Sequence, residues 1–231
     1  MLFGHKNVSQ YSNASFTIDN QFFTHVDNTK FLGVLVDQKF TWKRHVLYIS
    51  SKISRTLYLL NRLKYKLSQS SLLSLYNSLV YPQLNYCNIL WGCASKSVLN
   101  HLVLLQKRAI RIIGHAHYLA YTNALAKKFS IIKLMDINVL QTALFVYKFL
   151  NNSLPNVCCD FLTLYDSTSN EYSLRRKSTF LIPSYRTSLR EKCSLVRFPR
   201  IWSSIPNEIK LSESLNIFKS RLKAHLLQCY S

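Results

Sequence analysis

The sequence predicts a mainly α-helical chain, with a short antiparallel β part at the N-terminus and a small α+β region at the C-terminus. From Trp42 onward apolar residues recur at three- and four-residue steps. Before that point the pattern is short and strand-like. Hydrophobic residues make up 48% of the 231 positions, enough to bury a core and to exclude a disordered basic tail.

In the β part, Phe16 and Ile18 alternate with polar residues, Phe22-Phe23 follows an Asp19-Asn20 turn, and the run 30–36 reads as one buried strand. The first helix follows from Trp42. Val46, Ile49, Ile53, Leu57, Leu60, Leu63 and Leu67 form its apolar seam, and Arg44, Lys52, Arg55, Arg62 and Lys66 cluster on the opposite side of the helical wheel. Further helices are expected over residues 70–80, 95–113, 137–151 and 214–229. Ser95 caps the second of these, which turns Leu99, Leu102, Val103, Gln106, Ile110 and Ile113 to one face. Lys107, Arg108 and Arg111 lie beside that face before Gly114 ends the run. Asp136 is expected to cap a segment that is apolar nearly all round, hence buried, and residues 151–155 stop it. A loop-rich, partly extended stretch over 156–206 then leads to a last amphipathic helix begun by Ser214, with Leu215, Phe218, Leu222 and Leu226 on its seam. The expected organisation is 1–40, 41–155 and 156–231, with a boundary near Pro155.

Charge points to a polyanionic partner. Lys and Arg number 30 against 10 Asp and Glu, a formal net charge of +20. Residues 38–135 carry fifteen basic side chains and no acidic one. A helix surface that needed only solubility would mix signs at i, i+4 spacing, so this block reads as a face kept positive. Nucleic acid is the first expected partner and a membrane surface the second. Residues 67–95 are uncharged, but Ser68, Gln69, Asn77, Pro82 and Asn85 interrupt every apolar run, so the stretch reads as buried protein and not as a membrane span.

Other chemistry finds little support. The six cysteines follow no disulfide framework, and residues 1–6 lead into polar sequence without an apolar leader, so an intracellular, reduced chain is expected. Cys87 and Cys93 lack a second pair, Cys158-Cys159 is adjacent, and His115 and His117 have no cysteine partner at zinc-finger spacing. There is no glycine-rich phosphate loop, and His45 and His225 read as surface histidines, not general bases. Asp19, Asp27 and Asp37 sit beside turn-like residues and read as turn or cap carboxylates in preference to metal ligands.

Several motifs, in order, carry a family resemblance. Phe31-Leu32-Gly33-Val34-Leu35-Val36-Asp37 is followed by Phe40-Thr41-Trp42-Lys43-Arg44-His45, then Lys52-Ile53-Ser54-Arg55, Tyr81-Pro82-Gln83-Leu84-Asn85-Tyr86 and Leu90-Trp91-Gly92. Farther on come Leu105-Gln106-Lys107-Arg108-Ala109-Ile110-Arg111, Tyr147-Lys148-Phe149-Leu150-Asn151-Asn152, Arg186-Thr187 and Trp202-Ser203-Ser204-Ile205-Pro206. Together they resemble the end of the palm, the thumb and the following region of non-LTR retrotransposon reverse transcriptases of the jockey type. Phe198, where relatives usually have glycine, and residues 170–176 depart from that pattern.

The resemblance implies a palm remnant over 1–40, a thumb-like helical bundle over 41–155 and a C-terminal region over 156–231. Family members polymerise DNA with two metal ions held by palm aspartates, including an adjacent Asp-Asp pair, and this chain contains no Asp-Asp. The resemblance therefore implies a nucleic-acid-gripping portion, inactive alone, with no cofactor of its own and Mg²⁺ belonging to the catalytic palm. Residues 1–4 resemble the strand just after the catalytic hairpin. Phe31, Leu32 and Gly33 resemble the primer-grip strand and read equally well as an ordinary edge strand. Arg44, Lys52, Arg55, Arg62, Lys66, Lys107, Arg108 and Arg111 are the expected phosphate contacts. Expected partners are an RNA template or RNA–DNA hybrid and the remaining palm and fingers, with no membrane and no small-molecule substrate, in a nuclear or cytoplasmic ribonucleoprotein. The alternative is a non-catalytic basic helical protein, structural or DNA-binding, derived from a retroelement.

Overall fold

The computed structural model describes residues 16–18, 21–23, 26–158, 161–164 and 180–230. The features expected at 1–4, at the Asp19-Asn20 turn, at Cys159 and at 170–176 lie outside them. The described residues are mainly helical with a small β part. The chain divides into two units, Met1–Leu125 and Ala126–Ser231, and Pro155 lies inside the second.

In the first unit β1 (Phe16–Ile18) pairs antiparallel with β2 (Gln21–Phe23), and β3 (Asn28–Phe31) with β4 (Val34–Asp37). The second pair corrects the expectation of one buried strand over 30–36. Leu32 and Gly33 have φ of 45° and 82°, so the chain reverses between Phe31 and Val34 in a two-residue turn. Positive φ at both central positions matches the right-handed twist of a tight hairpin, and glycine supplies it without strain at the second.

Asp37 then links the hairpin to the first helix. One carboxylate oxygen accepts from the Thr41 amide and hydroxyl, at 2.8 and 2.9 Å, and the other from the Trp42 amide at 2.7 Å. This is the turn role read from its neighbours. Helix α1 (Lys43–Leu63) buries Val46, Ile49, Ile53, Leu57 and Leu60, the predicted seam. It stops short of Leu67 because Ser68 must be extended for its Oγ to accept from the Ser71 amide and cap α2 (Gln69–Leu75). Lys66 therefore lies in the turn beyond α1.

From α2 the chain passes through a π-helical segment, Tyr76–Val80, into α3 (Tyr81–Asn85). Pro82 in the first turn of α3 has no N–H to offer the preceding helix, which accounts for a break in α-helical pairing here. Short α4 (Asn88–Trp91) precedes α5 (Lys96–Ile113), which Ser95 caps as predicted by accepting from the Val98 amide. Leu72, Tyr76, Val80, Leu84, Trp91, Leu102 and Ile113 are fully buried, and α5 packs along α1. Tyr76 and Gln106 form a buried polar pair in this core, with the amide Nε2 2.9 Å from the phenol oxygen. Burial raises the Tyr76 pKa, so the neutral phenol is the accepting species. Gly114 ends α5 with right-handed geometry. A Cβ there would lie 3.0 Å from the Leu125 side chain, so close approach explains the glycine, while His115 (φ 50°) makes the left-handed step.

Helix α6 (Thr122–Lys128) holds the division between the units. In the second unit α7 (Leu134–Leu150) starts three residues before the expected position, with Lys133 and not Asp136 at its N-cap position and no side-chain bond closing that end. Asp136 lies in its first turn and accepts from the Tyr230 hydroxyl at 2.5 Å, while that hydroxyl accepts from the Lys133 amide at 2.9 Å. Beyond a 3₁₀ turn, Asn156–Cys158, the described residues show one isolated bridge, Leu164 to Phe180. They continue through α8 (Ser188–Glu191), α9 (Ser194–Ser204), α10 (Asn207–Lys210) and α11 (Leu215–Gln228).

The expected loop over 156–206 is thus corrected at α9. That helix carries Pro199 within it and buries Val196, Phe198 and Trp202, and burial of this apolar face outweighs the proline penalty. Phe198, a departure from the family pattern, packs edge-on to Phe145 with ring centroids 5.4 Å apart. Helix α7 packs against α9 and α11, with Tyr147 stacked on Phe218 at 4.5 Å and its hydroxyl donating to the Ser212 carbonyl at 2.6 Å. No helix among the described residues is long and apolar enough to cross a membrane.

Candidate nucleic-acid interface

The side of α1 away from its seam carries Arg44, Arg55 and Arg62 exposed and Lys52 half-buried, with Lys66 exposed just past the helix end. Among the described residues none of the five meets a carboxylate. From Arg44 to Arg62 the row runs about 27 Å at 1.5 Å per residue.

Two tyrosines stand in the same row. The Lys52 ammonium lies 4.4 Å from the Tyr48 ring centre, and the Lys30 ammonium, from β3, approaches the same ring at 5.9 Å. Hydrogen bonding from Lys52 is the main cause that lowers the Tyr48 pKa, and the charges of Lys52, Lys30 and Arg55 add to it against a smaller opposing effect of burial. Three cations thus converge on one phenol. Farther along, the Arg62 guanidinium lies 5.8 Å from the Tyr58 ring centre and its Nη1 is 3.4 Å from the hydroxyl.

The hairpin joins this row through Lys30. Phe31 and Leu32 at its tip are 67% and 74% exposed. The Leu32 carbonyl accepts from the Tyr86 hydroxyl at 2.6 Å, and the Tyr86 ring lies 3.6 Å from where a Cβ on Gly33 would stand. Next to the turn, in β4, the Leu35 amide donates to Nδ1 of His45 at 3.2 Å. His45 is buried, which corrects its reading as a surface histidine. Its ring meets Trp91 edge-on at 5.7 Å, Nε2 finds no partner, and burial, with a smaller contribution from Lys52, lowers its pKa to about 4. The imidazole is therefore neutral, with the proton on Nε2.

On α5, Arg108 is exposed while Lys107 and Arg111 are half-buried. Arg111 Nε donates to the Ala120 carbonyl at 2.9 Å, so this side chain anchors the following loop. The rings of Tyr65 and His115 lie 6.3 Å apart, which sets the C-terminal ends of α1 and α5 side by side. Arg62, Lys66 and Arg111 therefore share one end of the unit and Arg44 stands at the other. Cations at two adjacent helix C-termini also oppose the partial negative charge of the carbonyl ends.

Helical periodicity was sufficient to find the arginine and lysine row. It missed Lys30, Tyr48, Tyr58 and Tyr86. A signal for the first tyrosine exists in the i, i+4 spacing of Tyr48 and Lys52, whereas Lys30 and Tyr86 reach the site only through tertiary packing. No group of three His, Cys, Asp or Glu side chains among the described residues is placed to hold a metal ion. Both oxygens of Asp37 serve the turn.

No protein-family model matches the chain, and no solved structure matches it. Its sequence is 29% identical over 124 residues to the RNA-directed DNA polymerase from mobile element jockey of Drosophila melanogaster, a match covering 52% of this chain and 13% of that protein. The jockey polymerase of Drosophila funebris is 27% identical over 123 residues, again 52% and 13%. The probable RNA-directed DNA polymerase from transposon X-element of Drosophila melanogaster is 27% identical over 111 residues, 46% of this chain and 12% of that protein. The chain thus matches only about an eighth of the length of these curated relatives. The resemblance to jockey-type non-LTR reverse transcriptases is borne out over about half of the chain.

Proposed function

We propose that this chain is a nucleic-acid-gripping portion of a non-LTR retrotransposon reverse transcriptase. It would hold the phosphates of a template–primer hybrid along α1 and set the hairpin tip at the primer strand. The observation that carries this reading is the row of Arg44, Lys52, Arg55 and Arg62, which meets no carboxylate among the described residues and lies in a ninety-eight-residue stretch without an acid. Like charges held this close repel one another at short range, and a polyanion relieves that repulsion. Phosphate contact of this kind is indifferent to base sequence. The chain contains no Asp-Asp pair, so this portion grips and does not polymerise.

Binding of a fluorescent RNA–DNA hybrid to the full chain, measured across salt concentrations, tests the proposal. Log affinity should fall by ~0.7–0.9 per decade of salt for each phosphate neutralised. Changing Arg55 and Arg62 to Gln should weaken binding equally on unrelated sequences and reduce that slope by about two contacts, with stability changed by no more than ~0.5 kcal/mol. An unchanged slope and affinity would refute the gripping role and favour a retroelement-derived structural protein.

A further inference from the structure

We infer that the end of the first unit where α1 and α5 finish side by side is a stacking platform for unpaired nucleobases, so that it takes single-stranded nucleic acid next to the paired stretch. The inference rests on the gripping role proposed above and adds a ligand class to it. Four tyrosines at or near this end are far more exposed than an apolar ring needs to be: Tyr58 65%, Tyr65 86%, Tyr118 72% and Tyr121 92%. Single exposed tyrosines are ordinary, but two of these, Tyr65 and Tyr118, each stand against a histidine of the segment that follows α5. Tyr65 lies against His115, and two residues on His117 and Tyr118 stand with ring centroids 4.5 Å apart. The segment that carries them is held to α5 at both ends, by the Ala116 amide on the Arg111 carbonyl at 3.0 Å and by Arg111 Nε on the Ala120 carbonyl at 2.9 Å.

Charge decides what kind of molecule these rings meet. The Lys64 ammonium lies 5.3 Å from the Tyr65 ring centre, and no acidic residue occurs from 38 to 135. A ring with a cation over it offers a π surface next to a phosphate-binding charge, the combination that single strands need. Bases within a duplex are stacked on one another and have no face to give, so only unpaired nucleotides can use the tyrosines. Tyr58 and Tyr65 are seven residues apart, about 10 Å along the helical direction, so separate bases of one extended strand can reach them.

The test compares three ligands on the full chain by fluorescence anisotropy: an oligothymidylate, an abasic sugar-phosphate oligomer with the same number of phosphates, and the RNA–DNA hybrid. The oligothymidylate should bind about tenfold or more tighter than the abasic oligomer. Changing Tyr65 and Tyr118 together to Ser should remove most of that difference and leave hybrid binding unchanged, while Tyr65→Phe retains it. Equal affinity for the two single strands overturns the platform and leaves the surface to a protein partner. A double variant that weakens all three ligands by one factor overturns it as well. A thiothymidine-containing strand should photocrosslink to peptides holding Tyr65 or Tyr118, a readout that needs no variant, and crosslinks found only elsewhere would also overturn it. Failure of the gripping role shows separately, as hybrid binding that does not respond to salt.

Discussion

His45 is the only described residue whose imidazole is both buried and held down to a pKa of about 4. An unfolded chain binds a proton at that imidazole near its ordinary value of ~6.5, while the folded one resists until the pH is far lower. The stability associated with His45 is therefore fully present above about pH 6.5 and is lost as the pH falls toward 4, because the unfolded state binds more protons across that window. Urea denaturation across the window should show a midpoint that falls with acidity, and His45→Asn should flatten that dependence. The Asn Oδ1 can accept from the Leu35 amide as Nδ1 does and cannot titrate. An unaltered slope in the variant would assign the acid sensitivity to other groups.

Two-stranded hairpins are marginal in water, so the β3–β4 hairpin draws its lifetime from its contacts with α1, the Asp37 bonds to Thr41 and Trp42, the Leu35 to His45 bond and the Tyr86 hydroxyl at its tip. Tyr86→Phe deletes the last of these and leaves the ring. Amide exchange of residues 31–34 should quicken several-fold, as expected for a bond worth about 1 kcal/mol, while exchange in α1 and α5 stays the same. A uniform change across both would mean that Tyr86 supports the whole unit.

Elements whose signals are local were legible in the sequence. The seam of α1 follows from spacing alone, and the caps at Ser95 and Ser214 need only an amide three residues on. The hairpin turn was hidden because apolar residues run unbroken through Leu32 and Gly33, and a leucine at positive φ is a poor guide to a turn. Helix α9 was hidden by Pro199, since its stability comes from burying Phe198 and Trp202 against residues distant in sequence. At the interface the cations were legible by helical phase. The tyrosines among them were not, since an aromatic side chain on a helix face does not by itself show whether it is buried.

At the scale of the whole chain, a net charge of +20 must act against its own folding. Salt shortens the reach of that repulsion to ~8–10 Å at physiological strength. The helical melting temperature, followed by circular dichroism, should therefore rise as sodium chloride is added from a low-salt buffer. Inorganic polyphosphate should raise it further at constant ionic strength, because it binds the folded form. A melting temperature that falls with added salt would show instead that attractive ion pairs dominate the surface.

The bond from Tyr86 to Leu32 spans 54 residues, and this bears on the order of events during synthesis. A ribosome delivers the hairpin first, then the histidine that receives its second strand, and only much later the tyrosine that holds its tip. At ~5–20 residues per second the tip waits about 3–10 s for that clasp. During this interval Phe31 and Leu32 sit at the end of a hairpin too weak to persist alone, so the protruding corner of the unit takes its final shape late, after α1 already exists to receive it.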